Sequence, residues 1–387
     1  MHYIGIRKIG RKFLFLTNIL AATGLLVCWL SSFWEPTYAW LIVGLLGMFY
    51  PILLVINILF IGFWFLLNKK YMYLSLVVVA ISLFKIQALY TFNFSNQGIK
   101  SPIEIDSLQH NHQLLGIMSY NVRLFNEYKW IKDKGMPDSI ANCIIKNKPT
   151  ILCLQEALYT MDSSIDILDK IKTKAFLPYS HANTITRLSG KKDNYTGNII
   201  LSAYPIIRSG VVDFGENTHN SCIYSDIELP NQTRIRVYNT HLQSFRFEKK
   251  DYALLKKIKE ADAWEEADKN TSKTLLLKMK EAIIQRAEQV AKLQNHIQRS
   301  PYPVILSGDF NDPPVSHTYY QLTEDLQDSF LESSRGIGTT YNGIIPFLRI
   351  DYILHDIHFK AYNHRIIPVK FSDHYPVFSY VEPLDNK

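Results

Sequence analysis

The residues able to do chemistry in this 387-residue chain are polar groups at the ends of apolar runs. Ser119-Tyr120-Asn121 closes the first such run, Gln155-Glu156 the second and Asn239-Thr240-His241 a later one. Gly308-Asp309-Phe310-Asn311-Asp312 closes another, Asp351 lies within RIDYIL, and Ser372-Asp373-His374 precedes the last run. On a sheet scaffold, strand ends are where catalytic groups are presented. Taken singly, each residue has a plain structural role: Asn121 caps a turn, Glu156 pairs with a lysine, His241 is hydrogen-bonded, Asp309 makes an Asx turn. Taken as an ordered set, they supply carboxylates, amides and histidines together. Such a set can hold a cation, position a water and supply a proton. No activated serine or cysteine motif accompanies them, so water is the expected nucleophile. Cys28, Cys143, Cys153 and Cys222 form neither a disulfide framework nor a Cys-x-x-Cys metal site, and read as small buried apolar residues.

The runs that carry these residues must position them. LLGIMSY, TILCLQ, GNIILS, SCIYSDIEL, RIRVYNTHL, PVILSGDF, RIDYILH and the closing YPVFSYV are short, apolar and bounded by turn residues, the pattern of strands. Several lack polar alternation, as expected of strands covered on both faces. Helical periodicity falls between them, over about residues 137–147 and 274–298. This mixture predicts a layered α/β domain over residues 113–382. A charged excursion at about 245–300 reads as two helices broken near Asn270, with Thr271 or Ser272 capping the second. It is either a solvated arm or a lip over the site, because it follows the strand that ends in His241. A basic, aromatic face there would suit lipid headgroups.

Hydropathy divides the chain. Residues 1–92 read as a transmembrane anchor with helices at about 13–34, 38–67 and 71–90, each long enough for a hydrocarbon core of about 30 Å. Pro51 is a kink point in the second, and Lys85 sits where its stem can snorkel to the interface. The first run is too long for a signal-peptide core, and two more follow it. Residues 1–100 hold eight basic residues against one acid, Glu35, and so carry the whole net charge of +7; the remaining 287 residues balance at 34 of each sign. The basic excess is therefore a topology signal and not a nucleic-acid-binding surface. It keeps residues 7–12 and Lys69-Lys70 cytoplasmic. Three crossings then place the C-terminal domain on the extracytoplasmic side, whereas two would leave it in the cytoplasm. Residues 93–112, with Gly98 and Pro102, read as a linker.

In their order, SYN, LQE, NTHL, GDFND, RIDYIL and SDHYPV resemble the endonuclease/exonuclease/phosphatase superfamily, the fold of pancreatic deoxyribonuclease, over roughly residues 113–382. The resemblance implies a four-layered α/β sandwich of two packed mixed β-sheets flanked by helices, here preceded by the three transmembrane helices. It implies a divalent-metal-dependent hydrolase using Mg2+, or Mn2+ in its place, with Glu156, Asn121 and Asp373 near the metal. Asp309 matches the residue that aligns or deprotonates the attacking water. Asn311 matches one that binds a phosphate oxygen or orients Asp309. His374 matches the histidine that contacts phosphate, Asp351 the carboxylate orienting it, and His241 a second histidine of the nuclease and sphingomyelinase branches. The division of acid and base roles among them stays open. Gly197-Asn198 supports the fold, with Asn198 a candidate substrate contact. An inactive binding module of the same fold would have lost a core residue, and Asn121, Glu156, Asp309, Asn311, Asp351 and His374 are all present. Lipid phosphodiesters, nucleic acids and soluble phosphate esters all stay open as substrates, in that order of preference. The expected partners are such a phosphoester and the lipid bilayer, with no obligate protein partner.

Overall fold

The computed structural model describes residues 2–36, 47–91, 100–110, 114–160, 167–187, 194–215, 220–259, 269–344 and 348–384. From Leu114 onward the strands are β1 (Leu115–Asn121), β2 (Ile151–Thr160), β3 (Tyr179–Arg187), β4 (Asn194–Ser202), β5 (Ile206–Val212), β6 (Ser221–Glu228), β7 (Arg234–His241), β8 (Val304–Asp309), β9 (Gln327–Asp328), β10 (Asp351–His355), β11 (Phe359–Ile366) and β12 (Val377–Pro383). They form two six-stranded sheets, ordered β11-β12-β1-β2-β4-β3 and β9-β10-β8-β7-β6-β5. Each sheet is mixed: β1–β2 and β7–β8 are parallel, and the neighbouring ladders are antiparallel.

The helices are α1 (His2–Leu30), α2 (Tyr50–Leu67), α3 (Lys69–Ile81), α4 (Leu83–Leu89), α5 (Pro102–His110), α6 (Met136–Asn147), α7 (Ile167–Lys174), α8 (Lys249–Lys259), α9 (Lys269–Gln298), α10 (His317–Asp325) and α11 (Ser329–Ser333). Strand periodicity explains the layers. In β1, Leu115 and Ile117 face the other sheet, and Met118 and Tyr120 face outward. Between the sheets, Ile117, Ile151 and Ile200 meet Ile223, Val237, Ile305 and Ile353. Outside the first sheet, Ile140 and Ile144 of α6 and Ile171 of α7 cover Tyr120 and Leu154. Outside the second, Val290 and Leu293 of α9 and Leu322 of α10 cover Tyr238, Leu306 and Leu354. Each such buried side chain contributes about 1.5–3 kcal/mol. This is the four-layer arrangement expected from the resemblance, and it explains why the strands read as unbroken apolar runs.

The N-terminal helices form a bundle. Among the described residues, two spans are long and apolar enough to cross a membrane by length and composition, Gly10–Phe33 with 24 residues and Tyr50–Leu67 with 18. The third expected span is not one helix. It is α3 and α4, 13 and 7 residues long, separated at Ser82. There the serine hydroxyl donates to Val79 O (2.9 Å) and Tyr50 Oη donates to Ser82 O (2.9 Å), so both carbonyls take a side-chain bond beside the backbone bonds that still pass through Ser82, such as Ile86 N to Ser82 O (3.3 Å). Pro51 opens α2 in its first turn and does not kink it. Residues 38–46 of the expected second span lie outside the described residues. A polar chain ties the helices: Asn18 Nδ2 donates to Ser75 Oγ (2.6 Å), Ser75 Oγ to Asn57 Oδ1 (2.8 Å), and Asn57 Nδ2 to Ala21 O (3.0 Å). The expected linker also contains structure, since α5 packs Ile105 against Leu114 and Tyr362.

Candidate active site

The space between the sheets changes character along the strands. Counting by two along β1 gives Leu115, Ile117, Ser119, Asn121, and along β8 Ile305, Ser307, Asp309. In β7 the same count gives Ile235, Val237, Asn239, His241. The inner layer is thus apolar at one end and polar at the other. Gln155 and Asn239 join the sheets where the change occurs. Gln155 Nε2 donates to Asn239 Oδ1 (2.7 Å) and Ser119 Oγ (3.0 Å), and Asn239 Nδ2 donates to the carbonyls of Leu154 and Ile199 (both 2.8 Å).

Above this layer lie the expected site residues. Register sets Asp309 beside His241 on one side and Asp351 on the other. Gly308 permits this close approach, because a Cβ there would sit 1.9 Å from Thr240 O. Glu156 arrives by a β-bulge between Leu154 and Ala157, with φ +48° at Glu156 itself. Such a bulge re-aims one side chain, and here it puts a carboxylate in the cleft where alternation would turn it toward the outer helices. His374 comes from the loop before β12. Ser372 fixes that loop by donating from Oγ to Asn121 O (2.9 Å) and accepting from His374 N (3.3 Å).

The groups converge on Asp309, which is fully buried. Its Oδ1 accepts from Asn311 N (2.8 Å) and its Oδ2 from Asn121 Nδ2 (3.0 Å). His374 Nε2 lies 3.6 Å and His241 Nε2 3.8 Å from Oδ2. His241 Nε2 is also 3.9 Å from Glu156 Oε1. His374 Nδ1 is 3.0 Å from Asp351 Oδ2, which fixes the ring's orientation. Burial disfavours the imidazolium of His374, but the carboxylates of Asp351 and Asp309 outweigh it and hold its pKa well above the ordinary histidine value. Burial pushes the carboxyl of Asp351 up, against the pull of His374.

A cleft of about 240 Å³ opens over these groups, lined by Glu156, His241, Asp309, Asn311, Asp373 and His374. Asn121 lies beneath it. Asn198 does not reach it: it is buried between the sheets and donates to Ser221 O (2.8 Å). For a metal, the donors differ in availability. Asp309, Asp351 and His374 place ligand atoms within 4.8 Å of one another, yet each is engaged with the others or with backbone. Glu156 is 37% exposed at its side chain, and among the described residues it has no lysine or arginine partner. It is the open hard-oxygen donor. Asn121 turns its amide nitrogen toward Asp309 and Glu156 (3.4 Å), while its oxygen accepts from Arg123 N (3.1 Å). Asp373 faces Arg123 at 3.2 Å.

The charged excursion forms a lip. Phe245, Arg246, Phe247 and Tyr252 line the cleft, with Phe245 and Phe247 stacked at 5.2 Å. Helix α9 braces it: Arg286 Nη1 donates to Gln243 O (2.8 Å), and its guanidinium lies 4.8 Å from the Phe245 ring centre. The second helix begins at Lys269, so the expected cap at Thr271 or Ser272 falls inside it. Arg123, stacked on Trp130 at 4.4 Å, and Tyr341 complete the rim. None of these rim residues belongs to the strand-end set; the run FRF directly after His241-Leu242-Gln243-Ser244 was their one visible sign.

Comparison with known proteins agrees with this architecture. No curated protein matches the sequence. A protein from Beutenbergia cavernae, described as an endonuclease/exonuclease/phosphatase, shares the fold with 16% identity and a TM-score of 0.51, over 70% of this chain and 72% of that one. A Bacteroides thetaiotaomicron member of that family aligns at 17% identity and TM-score 0.49, over 70% and 98% of the chains. The human Nocturnin catalytic domain with bound sulfate aligns at 15% and 0.49, over 70% and 95%. Residues 11–89 match a domain of unknown function (DUF8431). Residues 118–374 match the sequence model of the Endonuclease/Exonuclease/phosphatase family, and the chain belongs to that family.

Proposed function

We propose that this protein is a divalent-metal-dependent hydrolase of phosphoester bonds, with diesters as its substrates and water as its nucleophile. The observation that carries this reading is the convergence of Glu156, His241, Asp309 and His374 on one cleft. The donor chemistry fits a hard cation: Glu156 would hold magnesium, or manganese in its place, with Asn121 and Asp373 beside it. When bound, the cation neutralises phosphate charge and acidifies a coordinated water. The chain's own residues do the rest. Asn311 N–H and Asn121 Nδ2 fix the Asp309 carboxylate, which then aligns the attacking water and accepts its proton. Asp351 holds His374 Nδ1, so that Nε2 meets a phosphate oxygen. His241 Nε2 stabilises charge on the leaving oxygen.

We read the N-terminal bundle as a membrane anchor. The 3-10 turn Ser31–Phe33 that follows α1 and the end of α4 at Leu89 both contact the catalytic domain. The turn between α2 and α3 packs against Phe15, nearer the start of α1. This up-down-up path favours three crossings, with the break at Ser82 inside the third, and an extracytoplasmic domain. The substrate we favour is a lipid phosphodiester, because Pro313, Ile344, Leu348 and Ile350 give the cleft an apolar wall. A nuclease is the second reading; among the described residues the lining arginines and lysines are Arg123 and Arg246, and Arg123 is paired with Asp373, few for a polyanion.

The test uses full-length protein in detergent with bis-p-nitrophenyl phosphate, a phospholipid in mixed micelles, DNA and RNA, each with magnesium or with chelator. Magnesium-dependent cleavage, fastest on the phospholipid, is expected. Hydrolysis of none of the four would sink the reading.

A further inference from the structure

The catalytic loop continues past the cleft into the N-terminal bundle. After Asn311 and Asp312 come Pro313, which lines the cleft, then Pro314 and Val315. Val315 is 1% exposed. It packs among Ala22, Leu25 and Cys28 of α1, Tyr50 and Leu54 of α2, and Val78 of α3. Among the described residues, it is the one buried member of that cluster contributed from outside the bundle. Two successive prolines fix φ on the link, so a shift at Val315 is passed to Asn311 with little slack. Just beyond it, His317 Nδ1 lies 3.2 Å from Ser32 O, and the Tyr320 ring meets Phe33 at 4.8 Å.

A second fastening reaches the other catalytic carboxylate. Tyr90 and Thr91 pair with Ile337 and Gly336, and Gly338 N donates to Leu89 O (3.1 Å). That segment leads to Thr340, whose Oγ1 accepts from Ile350 N (2.9 Å) and Asp351 N (3.1 Å). Arg349, two residues before Asp351, donates from Nε to Ala88 O (3.1 Å). The loop carrying Asp309 and Asn311 and the strand carrying Asp351 are thus both attached to the bundle.

We infer that the N-terminal bundle is a positioning element of the catalytic centre, acting through Val315 seated in its core, so that bundle packing governs turnover. The turnover part rests on the hydrolase reading above; the positioning part does not. Val315 touches no reacting atom and is a positioning residue.

The experiment compares full-length wild type, Val315→Ala and Val315→Ile in the same detergent, by kinetics on bis-p-nitrophenyl phosphate and by amide hydrogen exchange. Displacing a catalytic group slightly is costly, so Val315→Ala is expected to lower kcat about tenfold while KM changes less than about twofold. Val315→Ile, which keeps a β-branched apolar side chain in the seat at the cost of one added methylene, stays within about twofold of wild type in both. In Val315→Ala, exchange over residues 309–316 rises about tenfold, and exchange over residues 151–156 does not change. A wild-type kcat in Val315→Ala, unchanged exchange at 309–316, or equal loosening at 151–156 would each overturn the inference. If wild type shows no hydrolysis, the hydrolase reading fails, and the exchange comparison still decides whether Val315 positions the loop.

Discussion

The floor and the lip of the cleft present side chains to the same space by different means. On the floor, His241, Asp309 and Asp351 are neighbours in a hydrogen-bonded register and are 8%, 0% and 2% exposed. On the lip, Phe245, Phe247 and Tyr252 ride on an arm held by ring contacts, by Arg286, and by Lys278 paired with Asp251 at 2.7 Å. Breaking a floor contact leaves a buried polar group unpaired, at about 1–3 kcal/mol each. A lip ring pair is worth about 0.5–1.5 kcal/mol. On the proposed hydrolase reading, the contrast puts the chemical step on the floor and substrate selection on the lip.

The largest expected effect strikes the floor. Glu156→Ala and His374→Ala should each lower kcat on a soluble diester about a thousandfold; a steady-state rate within tenfold of wild type would detach the floor from the chemistry. Next comes the layer beneath. Asn239→Leu leaves Gln155 and the carbonyls of Leu154 and Ile199 without their donor or acceptor. The thermal midpoint should fall by roughly 5–10 °C, and an unchanged melt would show that the inter-sheet layer does not support the floor.

A smaller effect follows pH. The folded-state pKa of His374 is raised by Asp351 and Asp309 despite burial. Its proton therefore adds stability below the ordinary histidine range, and that stability is lost as pH rises through the raised value. The melting difference between wild type and His374→Gln should narrow as pH rises above the ordinary histidine range. A difference that widens with pH would reverse the assignment of charge. The smallest effect belongs to the lip: Phe247→Ala should raise KM about threefold and leave kcat within about twofold. A collapse of kcat there would erase the distinction between floor and lip.

The same contrast explains what the sequence made legible. The floor was readable because its chemistry sits at the ends of strands whose apolar residues change to polar ones at every second position. The facing of Glu156 was not readable, because it depends on a bulge and a left-handed backbone at that one residue. The lip was legible only as a charged excursion at about 245–300, without showing which of its side chains line the cleft, and Tyr341 looks like a core aromatic when taken alone. β3 and β5, at the sheet edges, have mixed patterns (YSHANTITR and IIRSGVV) and escaped detection. Helix α5 did carry a sign inside the supposed linker. Ser101 and Glu104 form a capping box, with Ser101 N donating to Glu104 Oε2 (2.7 Å) and Glu104 N to Ser101 Oγ (3.3 Å). The third apolar run looked continuous because hydropathy does not register a one-residue break such as the one at Ser82, whose carbonyl accepts from Tyr50 as well as from the backbone.

The central claim is that Glu156 and the residues around Asp309 form one metal-dependent hydrolytic centre. The most direct measurement is a magnesium titration of bis-p-nitrophenyl phosphate hydrolysis by full-length wild type and Glu156→Gln. The account predicts a rate that rises with magnesium to saturation and returns to background with chelator, and in Glu156→Gln a saturation point shifted upward by about tenfold or more. Hydrolysis indifferent to chelator, or the same magnesium dependence in both proteins, would contradict it.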